Sequence, residues 1–526
     1  MIQYLVIRRL SSLLLLFSLV FVPWVSQADV RLPAIFGSHM VLQQGVKIPV
    51  WGWADAGESV TVTLGDNTAK TTADAGGKWR LDLAPVKATT NPLTLTVTGK
   101  NSLQFDDVLI GEVWLFSGQS NMEYPAKQAK DFYKELPAVN YPQIRLFVSQ
   151  RAIKDQPAND VVGSWAPCTP QSVADFTAVG FFTGRELFQK LNVPIGLVEA
   201  AYSGSVIQAW MSPDMLQSDP DFKPFMDRWQ KTLADYPQAK AAYDAKLPEL
   251  TKAWEEATAQ AKAANKPLPP PPKPPPDPES RYAPSGLYNG QLFPLAPFAL
   301  RGFVWYQGEA NWPAAFLYRK QLATLIKGWR ALWGEGDMPF IVVQLPGGDV
   351  MPDPKKITPW AEMRESQATA LNLPMTGLAV TVDLGDPLHH EQIHPNNKQD
   401  VGRRVALQAE KVAYGMDVVA SGPVLKTATV AGDSIHVTFN SAVGLKTKDG
   451  GPVTGFEIAG DDQNYLPANA TLSDDGVVIH ADAVPTPKTV RYDWSNYPEG
   501  NLFNAADLPA WPFRTDDFPP KSLNTR

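Results

Sequence analysis

A nearly unbroken apolar run, Val108-Leu109-Ile110-Gly111-Glu112-Val113-Trp114-Leu115, leads straight into Phe116-Ser117-Gly118-Gln119-Ser120-Asn121-Met122. No other stretch restricts the fold as much. Apolar side chains at successive positions leave no face for water, so such a strand needs cover on both sides, as in a parallel sheet under helices. Gly118 permits a sharp turn where the strand ends. The Ser120 hydroxyl is then exposed at the C-terminal edge of the sheet and the start of a helix, which is the placement a nucleophile needs. A lone Gly-x-Ser also fits an ordinary polar strand end, so the remainder of the chain has to decide.

The same texture continues over residues 106–415. Strand-like runs (Ile195 to Ala200, Gly302 to Tyr306, Phe340 to Gln344) alternate with helical patterns (Val179 to Leu191, Tyr318 to Leu332, Asp400 to Ala413). Such alternation predicts an α/β domain with a parallel sheet and flanking helices. Residues 29–105 read differently, as a β-sandwich-like domain of short β-branched and aromatic runs separated by Gly and Asn-Pro turns. After 416 the chain returns to β texture up to 526, as a second sandwich-like module or as strands completing the first. An insert over 213–280 interrupts the α/β region. It is Ala- and Lys-rich and helical in character up to Lys266, then runs into Pro267-Leu268-Pro269-Pro270-Pro271-Pro272-Lys273-Pro274-Pro275-Pro276, an expected polyproline II spacer or arm.

At 526 residues, two to four domains are expected. The formal net charge of −7, with no basic block, argues against nucleic acid and anionic membrane surfaces as partners. Arg8-Arg9, an apolar core from Leu13 to Val22 and small residues at Ser26-Gln27-Ala28 predict a signal peptide over 1–28, hence a periplasmic or secreted protein with no membrane attachment after cleavage. Cys168 is the single cysteine, which excludes an internal disulfide and reads as a packing residue.

Histidine is scarce, and three of the six fall together as His389, His390 and His394. The letters His390-Glu391-Gln392-Ile393-His394 match a zinc motif, but Pro387 and Pro395 leave little room for its helix. The alternative is a general base for Ser120. Glu391, three residues before His394, can turn back to hold Nδ1 so that Nε2 takes the serine proton, and Asp386 is a second candidate. Backbone N–H groups of Ser120 and Gly204 and the amide of Asn311, both of the latter following strands, are candidate oxyanion donors. Gln119, Gln307, Glu309, Trp210 and Trp312 are candidate substrate contacts, the tryptophans by stacking on sugar faces.

These segments together resemble the SGNH (GDSL-like) hydrolase superfamily, and within it the sialate O-acetylesterase-like branch. Gly111-Glu112-Val113-Trp114 leading into Gly118-Gln119-Ser120-Asn121-Met122 is similar to the nucleophile block of that branch. Pro194-Ile195-Gly196-Leu197 through Ala209-Trp210-Met211-Ser212 is similar to its glycine block. Trp305-Tyr306-Gln307-Gly308-Glu309-Ala310-Asn311 resembles its asparagine block, and His394-Pro395 with Asn397-Lys398-Gln399 its histidine block. The resemblance implies an SGNH-type sheet. Ser120 would be the nucleophile and His394 the base, with Ser120, Gly204 and Asn311 forming the oxyanion hole and no metal or other cofactor required. The implied activity is removal of O-acetyl groups from carbohydrate, either a plant-wall glycan such as xyloglucan or xylan, or sialic acid. Two departures stand out: Ser203-Gly204 replaces Gly-Gly, and Glu391 stands where the branch usually carries an Asp nearer the histidine. The third triad member is thus Glu391, Asp386 or a backbone carbonyl in a dyad. A carbohydrate-binding protein with an inactive hydrolase core, and a zinc hydrolase built on the histidine cluster, are the competing readings.

Overall fold

The structure, a computed structural model, describes residues 29–349 and 359–525; the expected leader, 1–28, lies outside them. Six short strands open the described chain: β1 (Val41–Gln43), β2 (Ile48–Trp53), β3 (Ser59–Leu64), β4 (Asn67–Thr72), β5 (Lys78–Leu83) and β6 (Thr89–Thr98). β2 and β5 pair only with each other, while β4, β3 and β6 pair in that order and β6 continues onto β7 (Ser102–Gly118). Every second residue of β3 and β5 is buried, the period expected of strands with one wet face.

β7 explains how the first layer joins the second. Its first six residues alternate in exposure and face β6, whereas the next eleven are all buried. The buried half lies between β10 (Ile195–Ala201) and β11 (Gly302–Tyr306) in parallel register, with Gly118 level with Ala201 and Tyr306. The boundary expected between 105 and 106 therefore falls inside a single strand. Buried side chains from Val30 to Ala409 form one continuous core across it.

The main sheet runs β13 (Thr376–Ala379), β12 (Phe340–Val343), β11, β7, β10, β8 (Tyr141–Val148), β9 (Trp165–Cys168), all parallel except β9 against β8. β10, β11 and β12 are buried at every position, as strands with helices on both faces must be. The short helix α1 (Pro170–Ala174) follows β9, and α2 (Ala178–Leu191) packs on the much later α7 (Lys398–Tyr414). Between them in sequence lie α3 (Pro213–Gln217), α4 (Lys223–Ala263), α5 (Ala315–Trp333) and α6 (Pro359–Ala368). From α5, Trp329 meets Phe303, Trp305 and Phe340 of the sheet at centroid distances of 5.7, 5.4 and 5.9 Å. The expected α/β class with β-rich ends is the architecture found.

Within the insert, α4 is a 41-residue helix with no buried residue. The proline run folds back along it: Trp254 Nε1 donates to the Pro269 carbonyl at 3.0 Å and Tyr243 Oη to that of Pro272 at 3.2 Å. After 416 the strands build their own sheets around a second, separate apolar cluster that includes Val437, Ile458, Ile479, Val490 and Tyr492. They form a module and do not complete the first layer.

Candidate active site

The strand ends bring the predicted residues to one edge of the sheet. At Gly118, φ is 142°, and an added Cβ would lie 2.1 Å from the Tyr306 carbonyl oxygen. Only glycine lets β11 approach here, and the turn that follows is tied by Gln119 N–H donating to that same carbonyl at 3.0 Å. Ser120 emerges half-buried from this turn. His394 Nε2 lies 2.6 Å from Ser120 Oγ, a hydrogen bond across 274 positions of sequence. Burial, and secondarily the charge of Lys398, hold the His394 pKa below the ordinary imidazole value, so the ring is neutral and able to accept the serine proton.

Gly204 sits in a left-handed bend (φ 70°) after β10. Its backbone N–H and that of Ser120 have no acceptor among the described residues. Asn311 is braced from three sides: Oδ1 accepts from Ile207 N–H at 2.9 Å and from Gln307 Nε2 at 2.7 Å, and Nδ2 donates to Gln208 Oε1 at 3.0 Å. That bracing fixes which end of the amide is the donor and leaves Nδ2 one further N–H. Two backbone N–H groups and one amide N–H thus remain without an acceptor among the described residues.

The expected third member is elsewhere. Glu391 is exposed and points to His389 Nδ1 at 3.5 Å, not to His394. Asp386 caps its own turn, accepting from the N–H groups of Leu388 and His389 at 2.9 and 3.2 Å. Nδ1 of His394 has no hydrogen-bond partner among the described residues, so Ser120 and His394 stand as a dyad. The physical reason is the loop itself. Pro387 and Pro395 bracket a turn at His390-Glu391 that carries the carboxylate out to water. The same turn breaks up the zinc-like letters. His390 is stacked flat on Tyr497 at 3.8 Å while His394 faces Ser120, and among the described residues no group of three His, Cys, Asp or Glu is placed to hold a metal ion.

Three of the five candidate substrate contacts, Trp210, Gln307 and Glu309, are buried and bonded within the protein. Trp210 is fully buried, its indole N–H donating to Ser205 Oγ at 2.9 Å and its ring lying edge-on to Trp305. Gln307 is spent on Ser205 O, Asn311 and Tyr318, and Gln119 Oε1 on the Ala310 N–H. Glu309 is buried and accepts from Asn121 Nδ2 at 2.6 Å. Trp312 alone keeps part of its surface exposed. Cys168 is buried, and burial pushes its thiol up to about 12, which leaves it no thiolate for attack.

Other residues around the dyad carried no motif of their own. Asn121 Nδ2 also donates to the Ile393 carbonyl at 2.8 Å, and its Oδ1 accepts from buried Lys398 Nζ at 2.5 Å. Burial raises Glu309 to about 7 and lowers Lys398 to about 7, each opposed by the other's charge. Ser203, where the resemblance expects glycine, gives its N–H to Glu123 Oε2 at 2.9 Å, and Arg151 binds the other oxygen of Glu123 at 2.6 Å while lying over the Tyr202 ring. Arg281, at the end of the insert, rests against Gly204. Position just after the nucleophile (Asn121, Glu123) and inside the histidine block (Lys398) was the available signal.

Comparison with known proteins agrees with this geometry. The family profile described as carbohydrate esterase, sialic acid-specific acetylesterase (SASA), matches residues 110–243 and 291–411. A sialate O-acetylesterase of Rattus norvegicus is 29% identical over 89% of this chain and 90% of its own, and that of Homo sapiens 27% identical over 92% of each. The crystal structure of a carbohydrate acetylesterase from Xanthomonas citri superposes with a TM-score of 0.78 at 37% identity, covering 93% of this chain and all of its own.

Proposed function

Because the chain belongs to the sialate O-acetylesterase-like carbohydrate esterases, we propose that it removes acetyl groups from an O-acetylated glycan chain by a serine mechanism. The observation that carries the mechanism is the 2.6 Å contact between Ser120 Oγ and neutral His394 Nε2, beside N–H groups with no acceptor among the described residues. Ser120 Oγ attacks the acetyl carbonyl carbon as its proton passes to His394 Nε2. The negative charge on the carbonyl oxygen is held by the N–H groups of Ser120 and Gly204 and by Asn311 Nδ2. Collapse breaks the ester bond, and His394 returns the proton to the departing sugar oxygen. His394 then takes a proton from water, whose oxygen attacks the acetyl-serine, and acetate leaves with Ser120 restored. Among the described residues no carboxylate bonds His394, so the imidazolium formed in each step draws no ion pair from them; the lowered His394 pKa keeps the resting ring in the accepting form.

The substrate class is a plant-wall glycan such as xyloglucan or xylan, in preference to sialic acid. The long insert, whose end sets Arg281 against Gly204 beside the dyad, suits a polymer better than a single sugar and supports this choice. Residues 1–28 act as an export signal on this reading, which places the enzyme in the periplasm or outside the cell; amino-terminal sequencing of the protein made in a bacterial host should begin near Asp29. Acetate release is measured from 4-nitrophenyl acetate, acetylated xyloglucan, acetylated xylan and O-acetylated sialic acid, with wild type, Ser120→Ala and EDTA-treated enzyme. The expected result is turnover of the two polymers, loss of at least about 10³-fold in Ser120→Ala, and indifference to EDTA. Full activity in Ser120→Ala overturns the serine mechanism, and turnover of sialic acid alone overturns the substrate class.

A further inference from the structure

A concavity of about 350 Å³ opens between the paired strands β2 and β5 and the segments 158–159 and 293–297. It falls within the size range of small-ligand clefts, about 300–1,000 Å³. The paired strands place Trp51 opposite Arg80 and Trp53 opposite Lys78 on one face, both indoles half-buried and Trp51 packed in part against the core. Both rings keep part of their surface exposed. Phe293, 37% exposed, and Pro297 form the facing wall, and Asn159 lies beside them.

The aromatic rings are held in place from behind. Phe36 meets Trp51 edge-on at 4.8 Å, and the Arg31 guanidinium lies 6.0 Å from the Trp53 ring centroid. Flat rings fixed in position, rimmed by Arg80, Lys78 and Asn159, suit a pyranose. Its axial C–H face packs on an indole, while its equatorial hydroxyls reach polar groups at the rim.

The cleft is connected to the dyad by chain. Arg151 binds Glu123 at the active-site rim, and Asn159 lines the cleft eight positions later. A chain of eight residues spans at most about 28 Å, which an oligosaccharide can bridge. The segment from Arg281, against Gly204, to Phe293 makes the same connection from the other side.

We propose that this cleft is a second glycan-binding site, which stacks pyranose rings of a neutral polysaccharide on Trp51 and Trp53 and so tethers the chain whose acetyl groups reach Ser120. The choice of ligand rests on the carbohydrate-esterase reading; the binding itself requires no chemistry at Ser120. Affinity gel electrophoresis in gels containing deacetylated xyloglucan or xylan provides the test, with 4-nitrophenyl acetate hydrolysis as a control for folding. Wild type and Ser120→Ala should be retarded equally in at least one gel. Trp53→Ala and, on the opposite wall, Phe293→Ala should lose the retardation, keep wild-type hydrolysis of 4-nitrophenyl acetate, and show a KM for acetylated polymer raised at least about tenfold. Wild type unretarded in both gels, or Trp53→Ala and Phe293→Ala retarded like wild type, overturns the proposal. Retardation lost in both variants while Ser120→Ala stays fully active would uphold the second site and overturn the serine mechanism.

Discussion

Asn121 holds the nucleophile and the base in register. It follows Ser120 directly, and its amide binds the carbonyl of Ile393, the residue before His394. Glu309 and Lys398 grip the same amide from the two sides, which fixes its orientation in the buried site. In a conventional triad a carboxylate behind the imidazole does this work; here the clamp acts through the backbone. Asn121→Ala should therefore lower kcat by about 10²-fold, the cost of misplacing reacting groups by an ångström, with KM for 4-nitrophenyl acetate nearly unchanged. Steady-state kinetics separates the two. Glu391→Gln should stay within about threefold of wild type, because its carboxylate faces His389 and water. The pH profile follows from the sign of the His394 shift. Burial and the Lys398 charge favour the neutral ring, so the acid limb of kcat/KM should lie below 6.5, and Lys398→Met should move that limb upward. Ser120 and His394 were legible because each ends or borders a patterned segment. That Glu391 and Asp386 turn away from His394 was not, since the path of a loop between two prolines is decided by tertiary packing that spacing does not encode. Trp210 misled for a related reason: whether one tryptophan stacks on sugar or on Trp305 depends on what lies across the sheet.

At the scale of elements, local pattern was a reliable guide wherever burial was one-sided or complete. β3 occupies Ser59–Leu64, the alternating run, and β11 spans Gly302–Tyr306, the continuous apolar one. The insert is the element whose pattern promised least, because α4 has no apolar stripe to anchor it. Its order comes instead from the proline run laid back along it, with the indole and phenol groups of Trp254 and Tyr243 binding proline carbonyls, which have no N–H of their own to offer. Its root touches the core through Met215, Leu216, Phe222, Phe225 and Met226. Joining Tyr236 to Asp277 with a short Gly-Ser linker removes the hairpin beyond that root. The melting temperature should then move by no more than about 3 °C and 4-nitrophenyl acetate hydrolysis should persist, since no core residue is lost. Differential scanning calorimetry with the ester assay checks both; a large drop in either would mean that the hairpin supports the sheet.

For the whole molecule, the decisive fact is that the described residues form two apolar cores and not three. The sequence texture suggested a boundary near 105, yet β7 crosses it as one strand, because its two halves serve two sheets in succession. A shift from alternating to continuous apolarity marks a change of neighbours as readily as a change of domain. The real seam lies after α7, and polar contacts close it. Arg364 on α6 is fully buried and reaches the carbonyl oxygens of Pro346, Ser495 and Asn496, while the next residue of the C-terminal module, Tyr497, stacks on His390 four positions before the base. Burial holds the guanidinium down to about 10, opposed by the charge of Asp493, so it remains a cation at neutral pH. Removing it leaves those carbonyls without donors and frees the loop that carries Tyr497. Arg364→Ala should thus cost about 3 kcal/mol in urea unfolding followed by tryptophan fluorescence. It should also lower kcat, because the support behind the His394 loop is lost with it. A variant that loses stability but turns over ester at the wild-type rate under folding conditions would show that the C-terminal module braces the fold without bracing the site.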